Sequence, residues 1–244
     1  CAGGIVIGRR PGAAVYQPGL WQLPPAGSVD HHALGADGSI DLSQLPARQV
    51  EQIAKEVMLD MQADLPTKPS LIVTKRAEPT PLGALAYANG KCVVIINTNE
   101  TAWSQWGRFL NEDNRALWPQ IIAASVAHEM GHCLRENRKF VASHKLDEDE
   151  FRGLESTGGF GPPPEMVFKQ ELFADTVAIL YAQEHAGSDS ASVIGAMIQA
   201  REQYGANEPT HNTSKILKQL MNTDMQRLDN ESVGVAATRL LAAL

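Results

Sequence analysis

The sequence predicts an α+β fold, with a small sheet packed on one central helix and a mainly helical C-terminal lobe. Three observations carry this. Strand-like runs are confined to "SLIVTK" and "LGALAYANGKCVVIIN", within residues 70–97. A helical pattern precedes them. From Trp118 onward, apolar residues recur at helical spacing with no further strand-like run.

Residues 1–40 are rich in Gly and Pro, as in "GRRPGAAVYQPGLWQLPPAG", and hold no sustained period. They read as an irregular arm or tether, with Trp21 and Leu23 as anchors and His31 and His32 solvated. Residues 41–244 are the folded domain, expected as two lobes with a site between them. Its first helix is "SQLPARQVEQIAKEVMLDMQADL", with Ser43 as N-cap and Pro46 in the first turn. Val50, Ile53, Val57, Met58 and Met61 mark its buried face, and Pro66 stops it. "SLIVTK" is a strand. "LGALAYANGKCVVIIN" is a hairpin turning at Asn89-Gly90. "TAWSQWGRFL" is a short helix. The central helix is "WPQIIAASVAHEMGHCLRENR", followed by an acidic, Gly- and Pro-rich excursion from Lys145 to Pro164. A second long helix, "EMVFKQELFADTVAILYAQEHAG", ends at Gly187. Helical stretches near 189–204, 212–228 and 231–243 finish the chain.

Composition removes some functions. A net charge of −7 with no basic cluster leaves no nucleic-acid footprint. The longest apolar runs, such as Cys92 to Ile96, are strand-sized, far short of the ~18 residues of a membrane span. The start "CAGG" resembles a mature bacterial lipoprotein, which implies a lipid anchor through Cys1 and a cell-envelope or secreted location. A fragment boundary explains the same start, and a cytoplasmic location stays open. Cys92 and Cys133 are expected as buried free thiols, with pairing open only in an oxidising compartment.

The chemistry sits in "AHEMGH". On a helix, positions four apart share a face, so His128 and His132 can offer ring nitrogens to one metal ion. Glu129 projects about 100° away, beside the metal, where it can take a proton from water. Gly131 costs about 1 kcal/mol against Ala in a helix, which implies a close backbone approach there. A third ligand is needed. Position 138 holds Arg138, which excludes the HExxHxxGxxH scheme. Of His144, Glu155, Glu165, Glu171 and His185, geometry favours Glu171 in "QELFAD". Asp175, one turn on, would accept the far N–H of a zinc histidine.

His128-Glu129-x-x-His132 followed by Glu171-x-x-x-Asp175 resembles the gluzincin metallopeptidases. The form "ELFADTVAILYA" is most similar to the branch of the CaaX prenyl proteases and the membrane-associated heat-shock proteases. The likeness spans about 60 residues, from Ala123 to Tyr181. It implies a zincin-like fold, Zn2+, and endopeptidase action on a peptide or protein substrate. Two departures stand out: no membrane span is present, and an unusual Gly/Pro excursion separates His132 from Glu171. In that family a downstream histidine, often in a "THP" setting, sits near the metal. "EPTHNTSKIL" loosely resembles it, which makes His211 a candidate to stabilise the oxyanion, ahead of Tyr204 and Tyr181. An edge strand beside the active-site helix binds substrate in gluzincins. The resemblance gives that role to "KCVVIIN", with Asn97 helping to hold the peptide. Two rivals remain. One is a zinc-binding envelope protein, chaperone-like, with its site blocked by the excursion. The other is a regulatory protease with a single target.

Overall fold

The computed structural model describes residues 14–17, 47–65, 67–77, 80–87, 91–104, 110, 112–135, 164–205, 208–223, 225–228 and 231–244. Cys1, Trp21, Leu23, His31, His32, Ser43, Pro46, Pro66, the Asn89-Gly90 turn, His144, Glu155 and the excursion up to Pro163 lie outside them. The architecture is α+β.

The sheet has the order β1-β3-β4-β2, with β1 Ala14–Gln17, β2 Ser70–Thr74, β3 Leu82–Tyr87 and β4 Cys92–Asn97. β1 corrects the expectation of a wholly irregular arm. "AVYQ" carries the β-formers Val15 and Tyr16, and the open edge of β3 supplies backbone partners. β3 and β4 pair antiparallel as the hairpin pattern required, with Leu82 opposite Ile96 and Ala84 opposite Val94. β2 runs parallel to β4, from Ser70 beside Val93 to Thr74 beside Asn97. β4 is therefore an interior strand, engaged on both sides. That corrects the expectation that it is a substrate-binding edge.

Period-2 alternation gives the sheet one core face. Leu82 and Ala84 of β3 join Cys92, Val94 and Ile96 of β4 in the buried cluster. Two helices cover that face. α1, Ala47–Asp60, buries Val50, Ala54, Val57 and Met58, close to the predicted stripe. α3, Trp118–Arg135, packs across β3 and β4 and against α1. Between them in sequence lies the short α2, Glu100–Ser104. Pro119 sits in the first turn of α3, where its missing N–H costs nothing.

α4, Pro164–His185, lies along α3 on the side away from the sheet. α3 is buried almost throughout because it is held between the sheet and α4. Gly131 is what lets the two helices approach. A Cβ there would lie 2.8 Å from Ala174 Cα. α5, Ser190–Gly205, and α7, Val233–Ala242, pack on α4. α6, Ser214–Leu220, stops eight residues before the predicted end near 228, and a turn follows it. One hydrophobic cluster runs from α1 and the sheet through α3 and α4 to α7.

Cys92 and Cys133 form a disulfide, which corrects the expectation of free thiols. The first residue of β4 and the last turn of α3 face each other across the layer boundary, with Cα atoms 5.6 Å apart. No described helix is long and apolar enough to cross a membrane.

Candidate metal centre

The site forms where α3 crosses α4. His128 and His132 are one turn apart on α3, and their Nε2 atoms stand 2.9 Å from each other. Glu171 enters from α4. Its Oε2 is 3.6 Å from His128 Nε2 and its Oε1 is 3.5 Å from His132 Nε2. One ligand atom from each residue falls within a 4.8 Å group. A tetrahedral ion with bonds of about 2.0–2.2 Å spaces its ligands roughly 3.3–3.5 Å apart, so a single ion can reach all three. The residues are at most 1% exposed.

Asp175, one turn beyond Glu171, fixes the ring of His128. Its Oδ1 lies 2.9 Å from His128 Nδ1, a carboxylate placed to favour a proton on Nδ1 and so to leave the Nε2 lone pair facing the site. Asp175 is saturated. Oδ1 also accepts from Arg201 Nη2 at 2.7 Å, and Oδ2 accepts from Arg201 Nε at 2.7 Å and from the Thr213 hydroxyl. That fills the roughly four acceptor positions of a carboxylate. Arg201 Nη2 also donates to Glu171 Oε2 at 2.8 Å.

The electrostatics follow from burial. It drives the His128 ring down to about 4, against the pull of Asp175. His132 falls well below the ordinary histidine value, through burial and then through His128. Burial lifts the Glu171 carboxyl to about 8, with Arg201 opposing. The same burial would lift Asp175, but Arg201 and His128 outweigh it and hold the carboxyl far below its usual range. Two neutral imidazoles and one carboxyl group, which would give up the proton between the rings and its own on binding, are a donor set for a borderline cation. Among the described residues the Nδ1 atoms of His128 and His132 make no hydrogen bond, although Asp175 Oδ1 stands 2.9 Å from that of His128.

Comparisons with protein-family models, curated proteins and solved structures found no match to this chain.

The remaining sequence candidates divide. Glu129 is fully buried on α3, next to His128. His211 lies in a short 3₁₀ turn, Pro209–His211, packed on α4. Its Nε2 is 3.6 Å from Glu171 Oε1, while its Nδ1 is held by Thr210 Oγ1 at 3.0 Å and Glu208 Oε2 at 3.2 Å. Burial, then Arg201, brings this ring to about 4. Asn97 is buried and serves the backbone: its Nδ2 donates to Arg76 O at 3.0 Å, and its Oδ1 accepts from Asn99 N at 3.1 Å. Tyr181 spends its hydroxyl on Asp60 at 3.0 Å, tying α4 to α1. Glu165 and His185 are exposed near the two ends of α4. Tyr204 has no described side chain.

Sequence reasoning missed Arg201, Thr213 and Glu208. Arg201 left a signal. Val193 and Met197 are buried one turn apart on α5, and the next position of that stripe is an arginine. A charge in an apolar stripe asks for a buried partner.

Proposed function

We propose that this protein is a zinc-dependent endopeptidase of zincin-like design. The convergence of His128, His132 and Glu171 on one buried point, with Asp175 behind His128, carries the reading. Zinc held there would polarise the scissile carbonyl and lower the pKa of water. Glu129 is the general base: a fully buried carboxylate beside two metal-ligating histidines takes the proton and delivers it to the leaving amine. His211 stands at the edge of the group, its Nδ1 anchored by Glu208 and Thr210, so that Nε2 is aimed at the region where an oxyanion would develop. The Cys92–Cys133 pair supports an oxidising compartment, in keeping with a cell-envelope or secreted protein.

A second reading has one observation in its favour. The three ligand residues and Glu129 are almost wholly enclosed, and His211 stands against Glu171. A zinc site closed in this way would suit a chaperone-like or single-target protein. Digestion of casein by the purified protein, with and without chelator, separates the two. The protease reading expects chelator-sensitive digestion, reduced by about 10²–10⁴ in Glu129→Ala, with zinc content unchanged. Loss of zinc in that variant, or full activity, contradicts the role given to Glu129.

A further inference from the structure

Arg201 treats the two oxygens of Glu171 unequally. The arginine is 2% exposed. Its desolvation is returned only by well-matched carboxylates. The fork is shared: Nε and Nη2 grip Asp175, and Nη2 also donates to Glu171 Oε2 at 2.8 Å. Oε2 is thereby committed. Both oxygens border the site, Oε2 at 3.6 Å from His128 Nε2 and Oε1 at 3.5 Å from His132 Nε2 and 3.6 Å from His211 Nε2, but Arg201 donates to Oε2 and not to Oε1.

We propose that Arg201 is a positioning residue that makes Glu171 a one-oxygen ligand and so keeps one coordination position of the metal open. This rests on the metal reading above. A carboxylate can ligate through one oxygen or two. A catalytic zinc has three protein ligands and an open fourth position, which a second carboxylate oxygen would crowd. Arg201 withholds that oxygen. An arginine suits the task because its planar fork holds two carboxylates in fixed relation, whereas a lysine offers a single point of charge. A cation so close to the ion also opposes metal binding by Coulomb repulsion, so tight retention of metal is not what the residue serves. Thr213 gives Asp175 a further donor, so the Asp175 contact to His128 does not depend on Arg201 alone.

Cobalt(II) is the probe, because its visible absorption weakens as coordination rises from four to five or six. The full chain, Arg201→Met, Arg201→Lys and Thr213→Val are each titrated with cobalt, and the thermal stability of the metal-free forms is recorded. The inference expects intense four-coordinate bands in the parent and in Thr213→Val. It expects bands at least twofold weaker in Arg201→Met, with Arg201→Lys between. Unchanged bands in both Arg201 variants, whatever their stability, would show that Arg201 only braces the helices and would overturn the inference. If Arg201→Met does not fold, Arg201→Lys decides alone. If the parent takes up neither cobalt nor zinc, the metal reading itself fails, and that outcome is distinct from the first.

Discussion

His128, His132 and His211 are held neutral by burial, whereas Glu171 is pushed toward its protonated form, so acid and base act on the metal-free protein in different windows. In the unfolded chain a histidine titrates near 6.5 and a glutamate near 4.3. Between about 4.5 and 6.5 the unfolded state binds protons on three histidines that the folded state refuses, while the folded state keeps one on Glu171. The balance is about two protons in favour of the unfolded state, so stability falls as pH drops through this window. Between 6.5 and about 8, of these four groups, Glu171 is the one that still differs. There the folded state binds more, so stability falls as pH rises. Chelator-treated protein should therefore be most stable near pH 6.5 in urea titrations at stepped pH. A monotonic profile from pH 4.5 to 8 contradicts this account. Helical spacing made the pairs His128–His132 and Glu171–Asp175 legible as shared faces, whereas joining the two faces took the need for a third ligand and the family resemblance. Arg201 and Thr213 were not legible, since their partners lie 26 and 38 residues away from them in sequence.

At the scale of the element, the crossing of α3 and α4 positions the site, and Gly131 sets its distance. Gly131→Ala improves helix propensity but puts Cβ 2.8 Å from Ala174 Cα. Backbone cannot yield as a side-chain tip does. The variant should lose about 1–3 kcal/mol of stability and bind zinc more weakly, because Glu171 is one turn from Ala174. A rise in melting temperature would show that the helices are free to separate. The disulfide acts on the same helix, one residue past His132. Its ends are 41 residues apart in sequence. Closing a loop of that size stabilises by about 4 kcal/mol in the chain-entropy estimate. Replacing both cysteines with alanine should lower stability by roughly 2–4 kcal/mol in denaturant titrations; an unchanged midpoint would mean that packing alone holds the last turn of α3. The strands and long helices could be read from their periods. The pairing of Cys92 with Cys133 could not, since it depends on how β4 and α3 stack. Nor could the interior place of β4, because sheet order is not written in local pattern. β1 was missed because four residues between glycines and prolines are too few to show a period.

Over the whole molecule, sheet, α3 and helical layer share one hydrophobic cluster, and the three candidate ligands are buried beside it on two different helices. Metal binding there would be coupled to folding: an ion bridging α3 and α4 would stabilise the folded chain by about 4 kcal/mol at a free concentration a thousand times its Kd. The central claim is that His128, His132 and Glu171 hold one zinc ion. X-ray absorption at the zinc edge, on protein loaded with one equivalent and dialysed, addresses it most directly. The account predicts one retained zinc with a first shell of nitrogen and oxygen at about 2.0–2.2 Å, the outer-shell signature of two imidazoles, and no sulfur. Zinc lost on dialysis, or a shell containing sulfur or a single imidazole, would contradict it.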